Sequence, residues 1–245
     1  MPNPTAAMLT IGDEILSGRT RDTNMPHLAQ ALTAKGIDLR ETRTVPDVVA
    51  EIVAAVNALR ARYTHVFTSG GIGPTHDDIT ADAVAAAFGV PIDVRADARA
   101  ILASNYANPE AELNPARLRM ARIPEGAELI DNPVSKAPGF SLGNVHVMAG
   151  VPAVFEAMVA GLLPRLTGGR PLLSETFRVM RPEGIIAGPL RNVADAHPAV
   201  AIGSYPFNRD GTFGANVVAR SNDPDALAAA AAALRAMVAE LEAGS

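Results

Sequence analysis

Cysteine is absent from this 245-residue chain, which excludes disulfide staples, thiolate metal sites and a cysteine nucleophile. Metal ligation would fall to carboxylates and five histidines. His27, His65, His76, His146 and His197 show no His-x-x-x-His or comparable spacing, which argues against zinc, and only His76 lies in a motif with chemical content. Positive charge is also in short supply. Lys and Arg number 21 against 26 Asp and Glu, a net of −5, with no cluster able to track a phosphate backbone, so no nucleic acid partner is expected. No run approaches the roughly 18 apolar residues of a membrane span. Residues 1–7 lack the basic region and apolar stretch of an export signal. The expectation is a cytoplasmic protein with no membrane partner.

What is present is a good supply of core. Hydrophobic residues make up 48% of the chain, enough for one substantial domain and a small one. Twenty glycines and nineteen prolines are scattered between apolar stretches, as in a chain with many short connections. The order of elements reads as α/β. Ala6, Met8, Leu9 and Ile11 suit a buried strand, closed by the loop Gly12–Asn24. A helix from Asn24 carries Leu28 and Leu32 and stops at Gly36. A strand over Asp38–Val45 follows, then a helix opened by Asp47 with a stripe of Val48, Val49, Ile52, Val53, Val56 and Leu59.

A third strand, His65–Thr68, feeds a glycine-rich loop and a helix over Thr80–Phe88. This alternation predicts a three-layer α/β/α domain with a mostly parallel sheet, whose ligand lies beyond the C-terminal ends of the strands. Ala98–Met120 reads as helical with a break around Pro109–Asn114, Val145–Met148 as a late strand, and Ala153–Leu166 as a helix. Thr167–Pro171 reads as a linker. The predicted domains are therefore 1–168 and 172–245. The second reads as a small α+β unit, β-α-β-β-α, whose last helix is capped by Asp223 with Pro224 at its first position.

The loop Ser69-Gly70-Gly71-Ile72-Gly73-Pro74-Thr75-His76-Asp77-Asp78 joins strand to helix. Glycines let backbone N–H groups close in on an anion, and a helix N-terminus adds partial positive charge. It is neither a P-loop nor a dinucleotide fingerprint. The pattern also suits a tight turn with Asp78 or Thr80 as helix cap. A carboxylate about 4 Å from a phosphate oxygen is repelled by roughly 4 kcal/mol at an effective dielectric of 20. Asp77 and Asp78 therefore suggest a shared divalent cation, Mg²⁺ being the usual hard-ligand choice. Asp77 as a solvated loop residue and Asp78 as a cap remain open alternatives.

Gly12, Asp13 and Glu14 follow the first strand, so topology brings their carboxylates near this loop. Thr23 and Asn24 suit a helix cap. Arg19 and Arg21 could screen phosphate charge or be solvated. Asn132–Phe140, including Lys136, Pro138 and Gly139, is a second irregular loop.

Gly12-Asp13-Glu14-Ile15-Leu16-Ser17-Gly18 with Thr23-Asn24, then Gly70–Thr80, Ala137-Pro138-Gly139-Phe140 and Gly150-Val151-Pro152 together resemble the competence/damage-inducible protein A (CinA-like) group over about residues 5–166. The N-terminal part of that group shares the molybdopterin-binding fold of the MoaB and MogA molybdenum-cofactor biosynthesis proteins. Gly203-Ser204-Tyr205-Pro206 resembles the small domain of related proteins, including the front half of eukaryotic FAD synthases. The resemblance implies a pocket for a nucleotide or pterin pyrophosphate, formed by Gly12, Asp13, Asn24, Ser69, Gly70, Gly71, Gly73, Pro74, Thr75, Lys136, Pro138 and Gly139. Asp78 matches the family's catalytic aspartate and Asp47 its second functional one.

Also implied is metal-dependent hydrolysis of ADP-ribose or a related dinucleotide such as FAD. Asp77 and Asp78 would place Mg²⁺, Mn²⁺ or Co²⁺, with K⁺ as a further cofactor and Asp47 or Glu14 as base. The other readings are a molybdopterin-binding protein without turnover and a molybdopterin adenylyltransferase. Two departures stand out: Met148-Ala149-Gly150 where the family has Leu-Pro-Gly, and Ser135-Lys136 before Ala137. The deamidase domain of longer members is not expected here. Family analogy favours a homo-oligomer, a dimer or trimer.

Overall fold

A computed structural model describes residues 2–209 and 212–243 and divides into two units, Met1–Gly169 and Arg170–Ser245. The first strand, β1 (Thr5–Ile11), explains the layering of the larger unit. Its side chains alternate between two separate cores. Ala7, Leu9 and Ile11 belong to one, Ala6 and Met8 to the other, as the two-residue period of a strand requires. A strand buried on both faces must be covered by helices on both faces.

The covering elements come in alternation. A single turn α1 (Asp13–Leu16) and the helix α2 (Asn24–Lys35) precede β2 (Asp38–Val45). Helix α3 (Val49–Arg60) then leads to β3 (His65–Ser69), and α4 (Thr80–Phe88) to β4 (Ile92–Val94). Helix α5 (Ala96–Ala103) and the short turns α6 (Pro109–Glu112) and α7 (Pro115–Leu118) follow. Next come β5 (Arg122–Pro124), β6 (Glu128–Ile130), β7 (Gly139–Leu142), β8 (Val145–Met148) and α8 (Pro152–Leu162). The region expected to be helical over Ala98–Met120 is thus in three pieces. Its first break comes earlier than the prolines suggest, because α5 ends at Ala103.

The main sheet has the order β2-β1-β3-β8-β7-β6. Strands β2, β1, β3 and β8 are mutually parallel, and β7 and β6 add antiparallel pairs at one edge. The turn between β7 and β8 is the pair Gly143-Asn144, with Gly143 at φ 55°. Asn144 Nδ2 donates to the carbonyls of Arg60 and Tyr63, fixing the hairpin to the end of α3. In the parallel register Ile11 faces Val45, Thr10 faces Ser69 and Ser69 faces Met148. The loops after β1, β2, β3 and β8 therefore leave the sheet side by side, where parallel α/β sheets hold their ligands.

The smaller unit runs β9 (Leu173–Val179), α9 (Glu183–Ala196), β10 (Ala201–Arg209), β11 (Thr212–Ser221) and α10 (Pro224–Ala243), with antiparallel sheet order β10-β11-β9. Asp223 caps α10 through hydrogen bonds from the N–H groups of Asp225 and Ala226, at 2.9 and 3.1 Å. The low-complexity alanine run packs as core, with Ala230 and Ala231 fully buried. No helix among the described residues is long and apolar enough to cross a membrane.

Candidate functional site

The bend after β3 is built by close backbone approach. Gly70 has φ 108° and Gly71 φ 68°, a region that favours glycine. A β-carbon on Gly70 would land on the Ile11 carbonyl oxygen, and one on Gly71 on the Thr80 hydroxyl. Gly150, after β8, lies so close that its own β-carbon would sit 3.2 Å from the Gly70 Cα. Gly70 N–H donates to the Met148 carbonyl and Thr80 N–H to the Gly71 carbonyl. The N–H groups of Gly71, Ile72 and Gly73 have no protein acceptor among the described residues. These three amides are free to face an anion.

The two adjoining aspartates have different environments. The Asp78 carboxylate turns back into the loop and accepts from Thr75 N–H at 2.8 Å and Thr75 Oγ1 at 2.5 Å, beside Gly73. It does not cap α4, whose N-terminus has no side-chain cap. Asp77 is exposed, and its carboxyl lies below the ordinary range through the proximity of Thr75, its own backbone and His76, although the Thr75 hydroxyl makes its short bond to Asp78. His76 is fully exposed, with the Asp77 carboxylate 4.0 Å away.

Asp47 opens no helix either. The residue before α3 is Val48, and the Asp47 carboxylate accepts instead from the N–H of Asp13 at 3.0 Å. Burial pushes the Asp47 carboxyl above its ordinary value; the Asp13 hydrogen bond opposes this, while the charges of Asp13, Glu14 and Asp77 reinforce it. Asp13, Glu14, Asp47 and Asp77 therefore form an electrostatic group on one side of the loop, with Asp78 held apart on Thr75.

Those carboxylates supply hard oxygen donors, and their mutual repulsion adds to the burial that raises Asp47. No group of three His, Asp or Glu side chains is arranged as a metal cage among the described residues. Any cation held by these carboxylates alone would need further oxygen ligands from outside the chain.

Asn24 lines the neighbouring cleft with Thr10, Glu14, Arg21, Asp22, Ser69 and Gly70. Its side chain is buried and is not a cap. Nδ2 donates to Ser69 Oγ at 2.8 Å and to the Gly150 carbonyl at 2.7 Å, while Oδ1 has no partner among the described residues. The cap of α2 is Asp22, whose carboxylate accepts from the N–H groups of Asn24 and Met25 and from the Thr10 hydroxyl. Sequence reading passed over Asp22 and Thr10, although an aspartate two residues before a helix start is itself a capping signal.

Gly12 is buried at the end of β1, its N–H donating to the Val45 carbonyl. Pro74 and Thr75 are exposed on the loop. Pro138 lines a narrow cavity on the far side of the bend with Gly71, Gly73, Asp78, Arg119 and Arg122. Arg119 donates to the Asp78 carbonyl at 2.8 Å, and Arg122 pairs with Asp82 at 2.7 Å. Gly139 is buried in β7, where a β-carbon would strike the Val147 carbonyl; its place is in the sheet and not at the loop. Lys136 has φ 59° and donates its N–H to Asn132, and it lines neither cavity beside the bend. The structure thus brings Gly12, Asp13, Glu14, Asn24, Asp47, Ser69–Asp78 and Pro138 together, and leaves Lys136 and Gly139 out.

Comparison with known proteins matches a separate family to each unit. Residues 7–168 match the family described as "Probable molybdopterin binding domain" and residues 171–243 the "FAD synthase, middle domain". A protein of Pyrobaculum calidifontis is 36% identical over 212 residues, covering 83% of this chain and 81% of its own. A CinA-like protein of Desulfosudis oleivorans is 36% identical over 209 residues, covering 81% of this chain; the chain spans 51% of that relative's length. The solved structure of the CinA protein of Thermoplasma acidophilum, whose function is described as unknown, superposes with TM-score 0.63 at 35% identity, over 67% of this chain and 99% of that one. The chain belongs to the CinA-like branch of the molybdopterin-binding domain family.

Proposed function

We propose that the larger unit receives the diphosphate of a nucleotide-type ligand on the amides of Gly71–Gly73 and hydrolyses it, with ADP-ribose or a related dinucleotide such as FAD as substrate. The carrying observation is the juxtaposition of three unengaged amides with an acid group whose Asp47 is raised above its ordinary pKa. A carboxyl raised in this way is suited to take a proton from water attacking phosphorus. Cleavage of the P–O–P bond of ADP-ribose by one water gives AMP and ribose 5-phosphate. A divalent cation on the acid group would offset the charge of the phosphates and make bound water more acidic. Thr75 keeps Asp78 oriented beside Gly73, and Asn24 holds the floor of the cleft between Ser69 and Gly150.

The test is incubation of the protein with ADP-ribose and FAD in the presence of Mg²⁺, Mn²⁺ or Co²⁺ and K⁺. AMP release that disappears in Asp47→Asn supports the reading, and its absence under all these conditions removes it. A second reading rests on the Asp78 carboxylate, which is already engaged by Thr75: a molybdopterin or nucleotide carrier without turnover. Calorimetry separates the two, since a carrier binds tightly and returns its ligand unchanged. Adenylyl transfer to a pterin would be marked by adenylated product from ATP.

A further inference from the structure

The sheet of the smaller unit has helices on one face only. Val179, Val217 and Ala219 are buried in the core with α9 and α10, so the alternate positions, Arg178, Gly203, Tyr205, Phe207 and Arg220, lie on the other face. That face has an unusual construction. The Tyr205 ring lies against Gly203, where a β-carbon would meet it at 3.3 Å, and the Phe207 ring lies against Gly214. Two glycines thus let two rings lie down on the sheet within one strand, about 6.6 Å apart along it. Above them stand two arginines: Arg178 is 4.7 Å from the Phe207 centroid, and Arg220 is 5.6 Å from the Tyr205 centroid while donating to its hydroxyl at 2.9 Å.

Arg178 and Arg220 are both exposed, and neither has an acidic partner among the described residues. Ser174, Thr176, Asn216 and Val218, on the same face, add no carboxylate. Tyr205 keeps 47% of its surface exposed. Exposed guanidinium groups held over aromatic rings, with no carboxylate to neutralise them, are matched by a flat heteroaromatic ring carrying phosphate. The base stacks on the ring and guanidinium planes and the phosphate takes the guanidinium N–H groups that remain. In a chain of net charge −5 such a face suits one small anion better than a polyanion.

We propose that this open face is a second ligand site, for a purine mononucleotide, built from Tyr205, Phe207, Arg178 and Arg220 and independent of the loop at Gly70–Gly73. The chain has three tyrosines, Tyr63, Tyr106 and Tyr205, so fluorotyrosine NMR of the full chain reads the face directly, with Tyr205→Phe assigning the resonance. Titration with millimolar AMP should shift the Tyr205 signal saturably and leave Tyr63 and Tyr106 in place. The double variant Arg178→Ala and Arg220→Ala, checked for native circular dichroism, should weaken that binding at least about tenfold.

A Tyr205 signal that AMP does not move overturns the proposal. Inorganic phosphate matching AMP in affinity also overturns it, because the base would then contribute nothing. Oligo(dA) binding far more tightly than AMP, with a steep salt dependence, would make the partner single-stranded nucleic acid and overturn the mononucleotide assignment.

Discussion

The side-chain amide of Asn24 donates to the hydroxyl of Ser69 at 2.8 Å, joining the start of α2 to the last residue of β3. The same nitrogen reaches the Gly150 carbonyl, so one buried carboxamide ties three of the loops that form the cleft. Asn24→Ala leaves a buried carbonyl and hydroxyl without a donor, which costs about 1–3 kcal/mol. Chemical denaturation should show that loss, and calorimetry should show weaker nucleotide binding. Unchanged stability would mean that the contact is dispensable.

Gly70→Ala tests the close approach at the bend. The substitution puts a side chain at φ 108° and on the Ile11 carbonyl, at a cost of about 1–3 kcal/mol for the backbone strain alone. Its midpoint in urea should fall, and ligand affinity should fall further than in Gly184→Ala, where a β-carbon meets nothing within 4 Å. Equal effects of the two variants would contradict the role given to Gly70.

Asp47 should make the protein less stable at neutral pH while serving its site. Its carboxyl is raised in the folded chain, chiefly by burial, so the native state holds that proton more tightly than the unfolded state does. The resulting penalty is relieved as pH falls through the folded value and is in full force above it. Asp47→Asn should therefore raise the thermal midpoint at pH 7 while abolishing AMP release, and it should flatten the stability profile just above the ordinary carboxyl range. A lower midpoint at pH 7 would argue that the carboxylate is stabilising.

His146 predicts acid sensitivity at the opposite end of the sheet. Its ring is buried, bonded to Ser141 Oγ at 2.8 Å and His65 Nδ1 at 3.1 Å. Burial, with His65 and Arg165 adding to it, pushes its pKa down to about 3; burial lowers His65 as well. A depressed histidine contributes stability above about 6.5 that is lost as pH falls toward 3, at up to roughly 1.4 kcal/mol per pH unit. Wild-type stability should decline over that window, and His146→Gln should flatten the decline. A flat wild-type profile between pH 6.5 and 4 would contradict this account.

Much of this was legible in the sequence, and the reasons are physical. Strands β1, β3 and β8 announced themselves as short apolar runs, and Gly36 marked the end of α2 in a left-handed conformation. The order of loops around the cleft followed from parallel topology. Side-chain direction within loops was not legible. Asn24, Asp47 and Asp78 all carry capping chemistry, yet none caps a helix, because each side chain is claimed by a residue that only the folded chain brings near: Ser69, Asp13 and the folded-back Thr75. His146 was also hidden, since its partners come from β3 and β7 and no local spacing signals them. On the open face of the smaller unit, Gly203-Ser204-Tyr205-Pro206 stood out as a motif, but only strand register could place Arg178 and Arg220 above the rings.

The central claim is that the bend at Gly70–Gly73 and the acids around Asp47 together receive a diphosphate. The most direct measurement is a crystal structure of the Asp47→Asn protein soaked with ADP-ribose and Mn²⁺, the metal located by its anomalous signal. The account predicts the diphosphate on the N–H groups of Gly71, Ile72 and Gly73, with manganese between its oxygens and the acid side chains. A ligand bound elsewhere, with the loop amides still unengaged, would contradict it.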